Sequence, residues 1–416
     1  MNHPALIQND ATVMGLLAII LGIVFHTANS QHRVCKRFYR YVPAILLCYF
    51  LPSLLNTFNI VDAHNSQLYF VASRYLLPAC LVLLTLSVDL KEIAKLGRKA
   101  LILFLTGTFG IVAGAPIALL LLAGLFPELL NDNGPNAVWR GMTTVAGSWI
   151  GGSANQAAMK EIYTVGSDVF SAWVTVDIFF ANLWMAVLLY MAAHAKTIDA
   201  RVGADVSAID HLRAKVETYH AEHARIAQLP DLMVLLAVGF GVTGLAHWCA
   251  DMIQPWMVVN FPEGAKYSLH SQFFWLIIIA SSVGVGLSFT RARHLEAVGA
   301  SRIGSVLLYI LIASIGLHMN VKAIADTPLY FLIGTVWMLI HAGLMLTVAK
   351  ILKAPLFYMA VGSQANVGGA ASAPAVAAAF HPALAPVGVL LAVLGYTVGT
   401  YMAWFCGQVL QMIAAI

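Results

Sequence analysis

Runs of about twenty apolar residues recur along this chain. A helix of that length matches the roughly 30 Å hydrocarbon core of a bilayer. Ten such runs are read at 11–27, 41–59, 67–89, 101–126, 169–193, 230–250, 271–290, 302–320, 326–349 and 386–414. Only 10% of the 416 residues are charged, against roughly 25% in an ordinary soluble domain. Mean hydropathy is +0.81. The expectation is an all-α polytopic membrane protein with the lipid bilayer as its solvent and no nucleic-acid partner.

The reactive residues form no recognisable framework. The five cysteines (Cys35, Cys48, Cys80, Cys249, Cys406) are scattered without paired spacing, and the 14 histidines show no HExxH pattern. No GxSxG and no paired catalytic carboxylates occur, so an intramembrane enzyme lacks its usual constellation. No appended soluble domain argues for a sensor. The N-terminal "MNHPALIQNDATVMG" has no basic n-region, so no removable signal peptide is read.

Two stretches belong to no apolar run. Residues 147–155 read "GSWIGGSAN", and residues 362–372 read "GSQANVGGAAS". Glycine is a poor helix former, and amides are costly in hydrocarbon. Their topology follows from charge. The segments "HRVCKRFYR" (32–40) and "KEIAKLGRK" (91–99) are basic, while the loops around them are not. The positive-inside rule makes these segments cytoplasmic and the N-terminus periplasmic. The second half has its basic loops at 291–302 and 350–353. They fall on the same side only if 141–162 does not cross the membrane. That favours re-entrant elements at 141–162 and 356–380. The alternative is that both cross as broken helices and that one other span is miscounted.

The echo is wider than these stretches. "LLTLSVDLKEIA" (83–94) resembles "LIASIGLHMNVKAIA" (311–325), each followed by a long span, a Gly-rich stretch and a closing span. The chain thus divides into a first membrane repeat, 1–193, and a second, 230–416. Each has about five full spans plus one re-entrant or broken-helix Gly-rich element. With five crossings per half, the second repeat is inverted. The joining segment 194–229 reads as a cytoplasmic amphipathic linker helix. Inverted repeats with interrupted elements at matching positions indicate a secondary transporter. The plainer reading, close helix packing through small residues, explains one such stretch better than two.

The stretches "AGSWIGGSANQAAMKE", "VDIFFANLWM" and "VGSQANVGGAASAPAVA" resemble the YjcL-like family of bacterial integral membrane proteins, over nearly the full chain. That family is grouped with the cation:proton antiporter and anion transporter superfamily. The resemblance implies a scaffold and a mobile core, and a homodimer in the bacterial inner membrane. The core would hold 141–162 and 356–380, with flanking spans 169–193 and 386–414. Exchangers of that superfamily often carry adjacent acidic residues or Asn–Asp in one helix. Neither pair occurs within any of the ten apolar runs or the two Gly-rich stretches of this chain.

Asp177, in "SAWVTVDIFFANLWMAVLL", is the most informative single residue. A carboxylate at membrane depth is a functional hypothesis by default, here a Na⁺ or H⁺ site. The competing reading is a carboxylate satisfied by neighbouring hydroxyls such as Thr175. Asn182 lies five positions on and shares its face imperfectly. Broken helices present N–H groups suited to anions and carbonyls suited to Na⁺. Ser148, Ser153, Asn155 and Gln156 are the candidate ligands of the first element, with Gly151 and Gly152 allowing its break. Ser363, Gln364, Asn366 and Ser372 are those of the second, with Gly368 and Gly369. His341 is a candidate proton relay or substrate contact, against the plainer reading of a histidine bonded within the bundle. Arg74 is read as snorkelling from a span end, with attraction of an anion at depth as the alternative.

The expected function is secondary active transport, coupling a Na⁺ or H⁺ gradient to movement of a small polar, anionic solute. The alternative is a cation:proton antiporter. Na⁺ is the one candidate bound ion, and no other cofactor is expected.

Overall fold

A computed structural model describes residues 6–39, 42–63, 66–86, 96–130, 134–204, 227–319, 327–381 and 384–415. The described chain is helical, with a single isolated bridge between Ile7 and Val61. We number the helices α1 (Asp10–Ala28), α2 (Arg33–Tyr39), α3 (Ala44–Thr57), α4 (Leu68–Leu86), α5 (Arg98–Ala123), α6 (Val138–Ile162), α7 (Ser167–Ala193) and α8 (Ala195–Val202). Then follow α9 (Leu229–Asn260), α10 (Gln272–Ser288), α11 (Ala300–Leu317), α12 (Pro328–Ile351), α13 (Leu356–Val367), α14 (Gly369–Phe380) and α15 (Ala385–Ala414). Eight described helices are long and apolar enough to cross a membrane. The number is ten if the bent pairs α2 with α3, and α10 with Arg291–Val298, each count as one span. The echoing segments 83–94 and 311–325 and the linker residues 205–226 lie wholly or partly outside the described residues.

Local chemistry sets the helix ends. Asn9 accepts the Thr12 N–H at 3.1 Å to start α1, and Ser271 accepts the Phe274 N–H at 3.2 Å to start α10. Gln228 and Asp231 form a capping box at α9. Such caps satisfy amide groups that the helix itself leaves open.

The helices sort into two bundles. α1, α3, α4, α9, α10 and α11 pack on one another, and so do α5, α6, α7, α12, α13, α14 and α15. Contact between the bundles runs mainly from α4 and α10 to α6 and α15, with Tyr49 of α3 donating to Gln156 Oε1 of α6 at 3.4 Å. Large aromatics fill the second bundle. The Trp149 and Trp337 rings lie 4.8 Å apart, and Trp173 stacks on Tyr330 at 4.9 Å.

α6 folds back on itself. Gly151 (φ −139°, ψ 16°) and Gly152 (φ 73°, ψ −176°) leave helical geometry. A Cβ on Gly147 would come 2.7 Å from the Asn155 carbonyl oxygen and 3.0 Å from Met159 Cγ. A straight helix would hold those residues about 12 and 18 Å farther along its axis. The open ends meet as well: Arg140 donates to the Tyr163 carbonyl and, at 3.0 Å, to Thr164 Oγ1.

The α13–α14 pair does the same. Gly369 is left-handed (φ 58°), and the Phe357 and Phe380 rings lie 5.4 Å apart across 23 residues of chain. The two tips approach each other, since a Cβ on Gly369 would lie 3.8 Å from Gly152 Cα. The hairpins open at opposite ends of α7. Gly166, where α7 begins, donates to Pro135 O beside the α6 opening, at 2.7 Å. Beyond the other end of α7, Asp199 of α8 accepts the Leu356 N–H at 2.8 Å and caps α13.

Asp199→Ala is expected to cost about 1 kcal/mol by loss of this cap, read as a lower melting temperature in detergent. Burial holds the Asp199 carboxyl above its ordinary value, against the pull of the Leu356 N–H. A raised carboxyl titration means the folded state binds the proton more tightly than the unfolded one. This group's contribution therefore falls as pH rises from 3.8 through the raised value. Asp199→Asn should remove that component of the pH dependence and keep the cap.

Candidate functional site

The centre of the site is Asp177, buried midway along α7. Three neutral donors surround its carboxylate. Ser148 Oγ donates to Oδ2 at 2.7 Å, Trp149 Nε1 to Oδ1 at 2.8 Å, and Gln156 Nε2 to Oδ2 at 3.0 Å. Ser148 and Trp149 come from the first arm of α6 and Gln156 from the second. One carboxylate therefore ties both arms to α7. Thr175 is turned elsewhere, donating to Ser171 O at 3.1 Å. The bonds that satisfy Asp177 come from α6 rather than from its own helix.

Asn155 faces α15. Its Oδ1 accepts from Thr400 Oγ1, and its Nδ2 donates to Gly151 O at 2.9 Å, within the break. The tips then seat against a glycine surface on α15. A Cβ on Gly395 would lie 2.6 Å from Ile150 O and 3.5 Å from Ala365 O. A Cβ on Gly399 would lie 2.6 Å from Gly151 Cα. Only glycine permits an approach this close. The Ile150 and Ala365 carbonyls belong to the closing turns of the two inward-running arms, the negative ends of their dipoles. They offer neutral oxygens suited to a hard monovalent cation. The returning arms start at Ser153 and Ala370 with their N–H ends, suited to an anion. Ser153 and Gly152 are half-buried at this junction.

The second hairpin is tied into the same bundle. Ser363 Oγ receives Trp184 Nε1 at 2.8 Å and lies 2.7 Å from His341 Nε2. His341 Nδ1 donates to Gly107 O at 3.2 Å. Nε2 is then the acceptor for the Ser363 hydroxyl. Asn366 accepts from Thr108 Oγ1 at 2.8 Å and donates to Phe104 O and Gly362 O at 3.0 and 2.9 Å. Gln364 Nε2 donates to Ser372 Oγ at 2.7 Å. The Gln364 Oε1, on a side chain only 1% exposed, has no hydrogen-bond partner among the described residues. Buried acceptors are nearly always paired.

The structure thus brings Ser148, Gly151, Gly152, Ser153, Asn155, Gln156 and Asp177 together, and with them Gly368, Gly369, Gln364 and Ser372 from the facing tip. It ties Ser363, Asn366 and His341 into the packing behind that tip. Asn182 stands apart, bonded to Ile178 O of its own helix at 2.7 Å. Sequence reasoning did not single out Trp149 and Trp184. Their signal was general: a buried indole N–H needs an acceptor. Among the described residues, no three His, Cys, Asp or Glu side chains converge on one point.

The family described as "Protein of unknown function (DUF819)" matches residues 15–413. The chain is also similar to the "Uncharacterized membrane protein YjcL" of Bacillus subtilis (strain 168). The two are 24% identical over 355 residues, covering 83% of this chain and 84% of that protein.

Proposed function

This chain belongs to the DUF819 family, and we propose that it is a secondary active transporter. It couples a Na⁺ or H⁺ gradient to the movement of a small polar, anionic solute across the bacterial inner membrane. The observation that carries this reading is the meeting of two glycine-broken hairpins, tip to tip, beside a buried amide oxygen with no partner among the described residues. Four helix ends converge there against α15, and interrupted elements of this kind hold solute and ions in transporters.

Two further features support inverted repeats. Each bundle takes three elements from each half: α1, α3 and α4 with α9, α10 and α11, and α5, α6 and α7 with α12, α13–α14 and α15. The hairpins also enter from opposite ends. The charge rule supports one orientation. Lys99 Nζ donates to Lys353 O at 3.1 Å, and Asp199 caps α13 nearby, so the basic segments 91–99 and 350–353 share an end with α8. That end is cytoplasmic in this reading, and the α6 hairpin opens to the periplasm.

In the proposed cycle the N–H ends of the returning arms hold an anionic group of the solute. Neutral oxygens of Ile150, Ala365, Asn155, Gln364 and Ser372 are the candidate Na⁺ ligands. Asp177 reports charge at the tip to both arms of α6. The second bundle moves against the first, exposing the tips alternately.

Purified protein in liposomes tests this. Uptake of labelled small carboxylates and amino acids should depend on an imposed Na⁺ or H⁺ gradient. A second reading, cation:proton antiport, draws on Asp177, a buried carboxylate whose described hydrogen bonds come from neutral groups. Gradient-driven Na⁺/H⁺ exchange with no solute present would replace symport by antiport.

A further inference from the structure

A second buried polar cluster lies where the two bundles touch, away from the tips. Lys160 and Glu161 sit in the returning arm of α6, and Tyr69 and Arg74 on α4. Lys160 Nζ donates to the Tyr69 hydroxyl at 2.6 Å, and that hydroxyl donates to Glu161 Oε1. Arg74 Nη1 pairs with Glu161 Oε2 at 2.8 Å. The Lys160 ammonium also lies 4.3 Å from the centre of the Tyr69 ring, and the residue is only 7% exposed.

A backbone defect delivers Arg74 to this place. Pro78 has no N–H, so the Arg74 carbonyl lacks its usual donor four residues on. Here the helix widens into a π turn, Ala72–Leu76. His247 of α9 donates to the freed Arg74 carbonyl at 2.9 Å. The guanidinium then lies 4.3 Å from the centre of the Phe273 ring and reaches Glu161 across the bundle boundary. Arg74, read from the sequence as snorkelling from a span end, makes an ion pair with a residue 87 positions away in sequence. Single π turns inside α-helices recur at functional positions.

Among the described residues the other hairpin shows no counterpart. Counted from the two Gly–Gly breaks, Lys160 and Glu161 correspond to Ala377 and Ala378. The side-chain bonds of Ser363, Gln364, Asn366 and Ser372 all stay within the second bundle. Charge therefore fastens one hairpin across the boundary, while the matching positions of the other carry methyl groups.

We propose that Lys160, Tyr69, Glu161 and Arg74 form a latch that holds the α6 hairpin against α4 and closes the tips from the α6 end. A charged link between two rigid bodies biases whichever arrangement makes it. The latch thus favours the state in which the tips are reached from the α13–α14 end. This goes beyond the transporter reading, and its test reads accessibility rather than transport, so the two can fail separately.

The experiment places a cysteine at the tip, Ser153→Cys, in the full chain in membrane vesicles. An impermeant maleimide is added from the α6 side. The protein without Ser153→Cys is the background control, since Cys35 and Cys249 are only half-buried. Glu161→Gln and Arg74→Gln are each expected to raise the labelling rate at position 153 about tenfold or more. The double variant should rise no further than the larger single one, because both open the same link. Glu161→Asp should restore slow labelling in part. Unchanged labelling in either single variant that still melts cooperatively would overturn the latch and leave a static brace. Additive increases would overturn it too. If Glu161→Gln does not fold, Arg74→Gln, at a side chain 29% exposed, decides the question alone.

Discussion

Asp177→Asn is expected to leave a folded protein that has lost its ion dependence. The amide keeps one oxygen to accept from the α6 donors, so the hairpin stays near its seat. What disappears is the negative charge at the tip. Ion-driven transport should fall at least tenfold, which corresponds to about 1.4 kcal/mol. Asp177→Ala is the harsher change. Ser148 Oγ, Trp149 Nε1 and Gln156 Nε2 all lose their acceptor at once. An orphaned buried donor costs about 1–3 kcal/mol, and neighbouring losses do not add simply. The total is on the order of 3 kcal/mol or more, enough to lower the melting temperature and free both arms of α6 from α7. The two variants separate charge from bracing. Full ion dependence in Asp177→Asn, with a large stability loss in Asp177→Ala, would reduce Asp177 to a structural tie.

Gly399→Ala is expected to unseat the first hairpin. Its methyl would lie 2.6 Å from Gly151 Cα and 2.7 Å from Asn155 Nδ2. Gly395→Ala would bring a methyl 2.6 Å from Ile150 O. Backbone cannot yield as a flexible side chain does, so α6 itself must retreat. Overpacking of this kind costs about 1–3 kcal/mol, and the retreat pulls Asn155 away from Thr400. Transport should drop to background in both variants. The matched control is Gly241→Ala on α9 or Gly343→Ala on α12, where nothing lies within 4 Å of the added methyl. Alanine is the better helix former by up to about 1 kcal/mol, so these should be neutral or slightly stabilising. Equal losses in all four would mean that helix flexibility, not the α15 seat, is what the glycines supply.

Much of the fold is legible because hydrocarbon is an unforgiving solvent. Apolar runs announce their helices, and the observed ends of α5, α7, α12 and α15 fall within a few residues of 101–126, 169–193, 326–349 and 386–414. The two Gly–Gly breaks stand out for the same reason: small polar residues at membrane depth need an explanation. Asp177 could be found by its charge alone. Its partners could not, since Ser148, Trp149 and Gln156 lie 21–29 residues away and reach it only when α6 folds back. The pair "KE" at 160–161 is, in sequence, only the end of the stretch "AGSWIGGSANQAAMKE". Its role depends on Tyr69 and Arg74, 87 to 92 residues earlier.

By itself the sequence determined which segments are buried in lipid, where the backbone must break and which carboxylate lies deep. These follow from local composition, because the transfer cost of each group is set by its own chemistry. The tertiary structure alone decided which way the broken elements turn, which donors satisfy Asp177, and that Arg74 pairs with Glu161 across a bundle boundary. Those outcomes depend on pairwise geometry between distant segments, and two left-handed glycines can be read from a sequence more easily than the surfaces they bring together.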